Sequence, residues 1–425
     1  MKTEWFIEEI NKPYHWQRVN EILNIKEYLS GKHKILNKPS YQYNGRTYEP
    51  RKIVLQYAKV ILDYGIGYVI SNPITLTGDK KVTDEYKRVY KRGKYNSVDY
   101  DVMDKMSKYG FVAEYVYLDS DKQIKSKVID PADCYPVFDV RGDYVSLIES
   151  WTVDNVTYYN IYFPERVEQW TDEDGDLRKI GEFNNLGGLP ILYRNQSEID
   201  VLGGSDLLDI LPILDNMEDL ISKATDAYYH HTTGIAVMKG QQLKGDGLPK
   251  DLVSGGIVID HDADFFFAQN KFDHQAFEAL YKTLTSALLD IGHVPAVSMS
   301  KTDISNLSEV SIRLLFNLAD MKGAQNAKFL REGIEQRFDK IRRLLEYKNV
   351  TFTDDEYDTL GIVFHFARPS NDKEIVDNIT ALRAANLISV ESAIERSPYV
   401  TDVQGELDKI AGDGKVIRRQ FDKQT

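Results

Sequence analysis

The sequence is poor in cysteine: Cys134 is its only thiol in 425 residues. One cysteine excludes an intrachain disulfide framework, and chains without one are typical of a reducing cytosol. No basic residue lies beside Cys134 in the sequence to activate the thiol. We therefore expect a buried cysteine that acts as a small hydrophobic side chain.

Long apolar runs are also missing. The first residues, "MKTEWFIEEINKPYHWQRVNE", lack the apolar core of a signal peptide. The most apolar stretch, "IVLQYAKVILDYGIGYVI", is interrupted by Lys59 and Asp63 and does not reach the roughly 18 apolar residues of a membrane span. The sequence thus predicts a buried helix here and no membrane partner.

An excess of positive charge is absent as well, because the net charge is −13. Proteins that hold DNA tightly have basic surfaces, since phosphate contacts supply most of their affinity. The charge therefore argues against a tight DNA binder, but it leaves other relations to DNA open.

Motifs for catalysis and metal binding are scarce. The glycine pairs lack the following Lys-Ser/Thr of a phosphate loop, and no Gly-x-Ser-x-Gly occurs. Two Asp-rich stretches place Leu177 and Phe265 where a calcium loop needs glycine. His230 and His231 are adjacent, so they do not share a helix face. We expect no metal and no cofactor, although a pair of catalytic carboxylates in such an acidic chain stays open.

The first half of the chain alternates between two periodicities. Helical spacing is found over residues 4–30, 51–70, 83–94 and 98–108. Period-two alternation then begins with "GFVAEYVYLDSDKQIKSKVI", which predicts a hairpin turning at Ser120–Asp121, and it continues to about Phe183. This pattern predicts an α+β fold.

The second half is mostly helical. We predict helices over residues 206–231 and 272–291, separated by strand-like pieces in residues 232–271. Pro212 indicates either a kink or a start one turn later. A long helical pattern over residues 308–348 spans roughly 60 Å, and a strand and a short helical tail follow it. Within the long helix we expect bends at Gly323 and Gly333.

Between these helices lies a polar loop, "GHVPAVSMSKTDISNL", over residues 292–307. Helix connections usually take roughly 2–8 residues, and longer loops tend to be functional. Asn306 with Glu309 resembles an N-cap with a capping box, which predicts that the loop ends just before Leu307.

The order of these parts resembles that of the portal proteins of long-tailed bacteriophages, which form the ring at the capsid vertex. Local patterns are similar too, and they extend over nearly the whole chain. The stretches that carry the resemblance are "KVILDYGIGYVISNPITLTGD", "GFVAEYVYLDSDKQIKSKVIDPADCYPVFD", "NNLGGLPILYRNQSEIDVLGGSDL" and "LISVESAIERSPYVTDVQGELDKI".

The resemblance implies a portal fold in named segments. An α/β wing would be built by residues 1–205 and by a wing strand in residues 349–370. Stem helices would occupy residues 206–231 and 272–291, with a small β-containing clip at 232–271 between them. The tunnel loop would be 292–307, the long wing-crossing helix 308–348 and a small helical crown 371–425.

The resemblance also implies a non-enzymatic ring of twelve subunits that passes double-stranded DNA without sequence specificity. Its partners would be the terminase motor, a head-completion adaptor, and the scaffold and major capsid proteins. Assembly in the host cytoplasm would place it in the virion. The implied DNA-facing loop residues are Ser298, Ser300, Lys301, Thr302, Asp303 and Asn306, and the implied clip docking residues are Lys239, Gln241, Lys244, Asp246 and Lys250.

The first stem helix carries acids at helical spacing. Asp215, Glu218, Asp219 and Asp226 fall on one face, which we call the acidic face. Our hypothesis places this face toward solvent in or around the tunnel, and a place on the ring exterior is the equal alternative. The alternative function class is a cytosolic α+β hydrolase with an acidic site. A monomer in solution would favour this alternative.

Overall fold

The structure is a computed structural model, and its described part covers most of the chain. The described residues are 4–43, 46–197, 202–231, 235–239, 264–268, 273–295 and 308–400, together with 403, 406–407 and 409–411.

Helices and strands both contribute to the described residues, which confirms the predicted α+β class. The helices are α1 (Trp5–Ile10), α2 (Pro13–Leu29), α3 (Tyr57–Ile70), α4 (Lys80–Gly93), α5 (Tyr95–Tyr109), α6 (Leu211–His231), α7 (His274–Ile291), α8 (Glu309–Leu315), α9 (Asn317–Tyr347), α10 (Asp354–Tyr357), α11 (Asp372–Ala384) and α12 (Val390–Glu395). The strands are β1 (Tyr41–Tyr43), β2 (Arg46–Tyr48), β3 (Thr75–Thr77), β4 (Phe111–Leu118), β5 (Ile124–Ile129), β6 (Cys134–Phe138), β7 (Tyr144–Val153), β8 (Val156–Tyr162), β9 (Arg166–Thr171), β10 (Arg178–Asn184), β11 (Ile191–Arg194), β12 (Ile235–Lys239), β13 (Asp264–Ala268) and β14 (Gly361–Val363).

Two antiparallel sheets are built from residues 111–194. One has the order β10-β9-β8-β7-β6 and the other the order β11-β4-β5. The predicted hairpin is confirmed as β4 and β5. Its turn is closed by Asp119, whose carboxylate accepts from the backbone N–H groups of Asp121 and Gln123. Cys134 is buried in β6, as expected.

A third pairing joins distant parts of the chain. Strand β14 pairs antiparallel with β3, so that Ile362 lies opposite Leu76. The strand predicted within residues 349–370 is short, since only Gly361–Val363 has strand geometry. The pairing fixes the segment after α9 to the beginning of the chain.

The main core forms around α9. Leu330, Ile334, Ile341 and Leu344 are fully buried and pack in one cluster with side chains from α3, α5 and β4. Such burial stabilises a fold by about 25 cal/mol for each Å² of apolar surface removed from water. The long helix is thus held by packing rather than by its own propensity.

The expectation of one continuous long helix is wrong, because it breaks at Phe316, between α8 and α9. Helix α9 continues through Gly323 and Gly333, and bends at these glycines stay a prediction. These glycines serve close packing. A Cβ at Gly333 would lie 2.2 Å from the Tyr193 ring, and one at Gly323 would lie 3.2 Å from the Tyr68 ring. The helix keeps glycine where aromatic rings press against its backbone.

Arg337 of α9 lies at the centre of a buried ionic cluster. Its Nε donates to both carboxylate oxygens of Glu114 at 2.9 Å, and its Nη1 donates to Asp99 and, at 3.2 Å, to the Tyr90 hydroxyl. Tyr193 donates to Glu114 at 2.5 Å. Burial opposes its charge, yet Glu114, Tyr193 and Asp99 hold the pKa of Arg337 well above its usual value. The Asp99 and Glu114 carboxylates therefore stabilise the fold through their ion pairs with Arg337.

Candidate channel segments and their anchors

The two predicted stem helices exist and contact each other, but both begin later than expected. Helix α6 begins at Leu211, one turn after Asp206, as Pro212 allowed. Helix α7 begins at His274, where the Asp273 side chain caps it by accepting from the Ala276 N–H at 3.0 Å. Asp206 instead pairs with Lys322 of α9 at 2.8 Å.

The acidic face of α6 is only partly exposed within the subunit, since Asp215, Asp219 and Asp226 are half-buried. Its place in the tunnel or on the ring exterior stays a prediction. Glu218 is fully buried, and its Oε1 accepts from His33 Nδ1 at 2.6 Å and from the Leu55 N–H at 2.8 Å. The described residues 33–43 and 46–55, which we call the strap, contact this face of the helix. Buried carboxylates need such partners, because an unpaired charge is costly away from water.

The other three acids of this face also meet the strap. Lys34 donates to Asp215 at 2.7 Å, and Lys38 pairs with Asp219. Hydrogen bonds from Lys223 and Lys38 lower the pKa of Asp219. The Arg51 backbone N–H donates to Asp226 at 3.1 Å. The acids are therefore neutralised within one subunit.

The centre of the strap contact is aromatic as well as ionic. Tyr28 stacks on His33 with 3.7 Å between ring centroids. Burial, and then the nearby Glu218, raises the pKa of Tyr28. The strap thus joins α2 to α6 through one closely packed group. The basic sequence "GKHKILNK" was the signal for this contact, since its charges complement an acidic helix.

The upstream end of the predicted tunnel loop is anchored in the core. Leu288, Leu289 and Val294 are buried, and Gly292 lies against Ile61 of α3. His293 has a positive φ of 54°, which lets the backbone turn directly after α7. The chain therefore leaves α7 from a fixed position.

The downstream end is fixed by a cap and a buried carboxylate. Ser308 caps α8 by accepting from the Ser311 N–H, so the expectation of an Asn306 cap is wrong. Glu309 is buried, and its Oε2 accepts from the Asn371 N–H at 3.2 Å. Its own N–H donates to Glu374 at 2.9 Å. This junction between the loop end and α11 was not predicted from the sequence.

Arg368 extends the junction toward the core. Its guanidinium lies 3.5 Å from Glu309 and 3.2 Å from Asp320. The Tyr68 hydroxyl donates to the same Asp320. One end of the loop is thus coupled to α9 and to the C-terminal helices together. The implied loop residues Ser298, Ser300, Lys301, Thr302, Asp303 and Asn306 lie outside the described residues.

The predicted clip contains two described strands. Strands β12 and β13 pair antiparallel, with Lys239 opposite Asp264. They confirm strand structure at residues 235–239 and 264–268, whereas residues 240–263 lie outside the described residues. Lys239 ends β12, while the implied docking residues Gln241, Lys244, Asp246 and Lys250 lie outside the described residues.

Comparison with known proteins decides the family. Residues 9–417 match the family described as "Phage portal protein, SPP1 Gp6-like". The chain belongs to this phage portal protein family. The resemblance seen in the sequence is thereby confirmed, and members of the family are structural components of phage assembly.

Relatives are distant in sequence. The portal protein of Bacillus phage SPP1 is 22% identical over 386 residues, covering 83% of this chain and 74% of that protein. Among solved structures, "Neck of empty GTA particle computed with C6 symmetry" aligns with a TM-score of 0.48 at 10% identity over 82% of this chain and 87% of the other. "Neck of native GTA particle computed with C12 symmetry" aligns with a TM-score of 0.47 at 10% identity, over 79% and 86%.

No helix among the described residues is long and apolar enough to cross a membrane.

Proposed function

We propose that the chain is the repeating subunit of a ring of twelve at the phage capsid vertex. Double-stranded DNA passes through the ring during packaging and ejection. The family match over residues 9–417 is the observation that carries this proposal. The order of α6, the paired strands β12 and β13, α7 and the anchored ends of residues 296–307 supports it.

The segments then take separate roles. Residues 1–205 and 349–370 form the wing, 206–231 and 272–291 the stem, 308–348 the wing-crossing helix and 371–425 a small crown. The clip at 232–271 meets the terminase motor and a head-completion adaptor in turn. Scaffold and major capsid protein contact the ring from the shell during assembly in the host cytoplasm.

The negative net charge of the chain supports a role as a channel through which DNA moves. A net charge of −13 in each copy repels phosphates and keeps the duplex from binding the wall. Since the acidic face of α6 is paired with the strap, we assign it to holding the stem rather than to facing DNA. The loop residues around Lys301 then make brief, sequence-independent contacts to phosphates.

Electron microscopy of the purified chain tests the ring, and we expect particles with a central hole. Native mass measurement should give twelve copies, whereas a monomer under all conditions would contradict the proposal. For the loop, deleting Ser298–Ile304 should abolish packaging or retention of DNA in a phage assembly assay. Unchanged packaging by rings of the deletion variant would overturn the loop assignment alone.

A further inference from the structure

The helices after the loop carry a row of exposed apolar side chains. We call Val310, Leu314, Leu315, Leu318 and Met321 the apolar stripe, and each has between 40% and 73% of its surface exposed. Val310 and Leu314 are four places apart on α8, and Leu318 and Met321 are three places apart on α9, so each pair lies on one side of its own helix.

The opposite side of these helices already serves the fold of the subunit. Ile312, Phe316 and Ala319 are buried against Tyr68, with Phe366 packed beside them. The stripe is therefore not needed to attach α8. Contiguous exposed apolar patches are rare on monomers and mark contact sites. Among the described residues no segment covers the stripe, which makes it a candidate contact surface for a partner.

We propose that the stripe packs against helix α7 of a neighbouring copy, an inference that rests on the ring proposed above. Ala276, Ala279, Leu280 and Thr283 of α7 are exposed and lie on one side of that helix, which we call the α7 face. A ring subunit must offer two different surfaces, one to each neighbour. The stripe and the α7 face are two such surfaces.

The two faces fit each other in size. The stripe presents the long side chains Leu314, Leu318 and Met321, whereas the α7 face is built largely from small ones. Helices pack by inserting the ridges of one into the grooves of the other at roughly 8–10 Å between axes. A row of large side chains therefore finds room over a row of alanines.

The two faces also match in charge. Seven places beyond Met321, on the same side of α9, lies Lys328, and seven places beyond Thr283 lies Asp290. Both side chains are exposed in the described part of the chain. The stripe is thus followed by a positive charge and the α7 face by a negative charge. These opposite charges favour contact of the stripe with the α7 face over contact between two like faces.

Cross-linking tests this contact. Because Cys134 is the only cysteine and is buried, Cys134→Ala gives a background without thiols. Leu318→Cys and Ala279→Cys are then introduced singly and together, and a short bismaleimide is added to the assembled protein. We expect a ladder of covalent multimers, visible on a denaturing gel, from the double variant and none from either single variant.

The outcomes separate this inference from the proposed function. If rings of the double variant gave no ladder, the proposed contact would be wrong, whereas the proposed ring would stand. Multimers from Leu318→Cys alone would show stripe against stripe and would also overturn it. Absence of rings from the parent chain in microscopy would overturn both proposals.

Charge substitutions give a second measurement. Leu314→Glu with Leu318→Glu should weaken ring assembly at least tenfold in sedimentation, with unchanged helix content by circular dichroism. Val140→Glu is the matched control, since Val140 is fully exposed between β6 and β7. Lys328→Glu should also weaken the ring, and adding Asp290→Lys should restore it. Equal assembly of all these variants would overturn the proposal.

Discussion

Arg337 of α9 and Glu114 of β4 form a pair of hydrogen bonds at 2.9 Å with neither side chain exposed to solvent. Asp99 completes the neutralisation of this cluster. Removing one partner of a buried pair leaves an uncompensated charge, which typically costs about 3–5 kcal/mol. The pair therefore determines whether α9 can stay in the core.

Substitution of the arginine gives the first prediction. Arg337→Met should lower the free energy of unfolding by about 3–5 kcal/mol, measured by urea denaturation. Arg88→Met is the control, since Arg88 pairs with Glu85 at the surface and should lose less than about 1 kcal/mol. Equal losses in the two variants would show that the cluster carries no special weight.

The strap gives the second prediction. Glu218→Ala should destabilise the fold by about 1–3 kcal/mol for each partner left unsatisfied, namely the His33 ring and the Leu55 N–H. Asp219→Ala removes a half-exposed acid from the same face and should cost less than about 1 kcal/mol. Thermal unfolding of both variants measures the difference. A milder effect at Glu218 than at Asp219 would contradict the burial argument.

A pair of glycine substitutions gives the third prediction. Gly333→Ala places a Cβ 2.2 Å from the Tyr193 ring, so we expect a loss of at least about 1–3 kcal/mol from overpacking. Gly67→Ala in α3 meets nothing within 4 Å and should stabilise by up to about 1 kcal/mol, because alanine favours a helix. The two melting temperatures should therefore move in opposite directions.

The fourth prediction concerns acid. Burial, and then Arg18, lowers the pKa of His15 to about 4. Between pH 6.5 and 4, His15 is protonated in the unfolded chain but neutral in the folded one. The free energy of unfolding therefore falls as the pH falls through this range. The loss is about 3 kcal/mol for a shift of this size. His15→Gln should lose correspondingly less over the same range in urea denaturation.

The parent curve serves as the reference for this pH dependence. If His15→Gln also followed the parent curve, His15 would not be the group that titrates.

Periodicity in the sequence was sufficient to predict the local elements. Alternation of aromatic and β-branched residues over residues 111–129 predicted the β4–β5 hairpin, and Pro212 marked the start of α6 within one turn. These signals are local, because a side chain's position within a strand or helix depends on its neighbours in sequence.

Contacts between segments that are distant in the sequence could not be predicted from periodicity. Four acids at helical spacing on α6 are typical of a solvated face, and only the fold brings the strap against them. Helix α9 has glycine at two positions where Tyr193 and Tyr68 pack against it from other elements, and the sequence pattern alone does not show these contacts. Glu309 was taken as part of a cap, whereas its partners Arg368 and Asn371 lie some 60 residues later.

The strap has a consequence for synthesis of the chain. His33 precedes its partner Glu218 by 185 residues. At roughly 5–20 residues per second, a ribosome takes about 10–40 s to make that distance. The basic segment is therefore made long before its acidic partners on α6. Closure of the strap onto α6 is a late, long-range step of folding, and it requires that α6 has been synthesised.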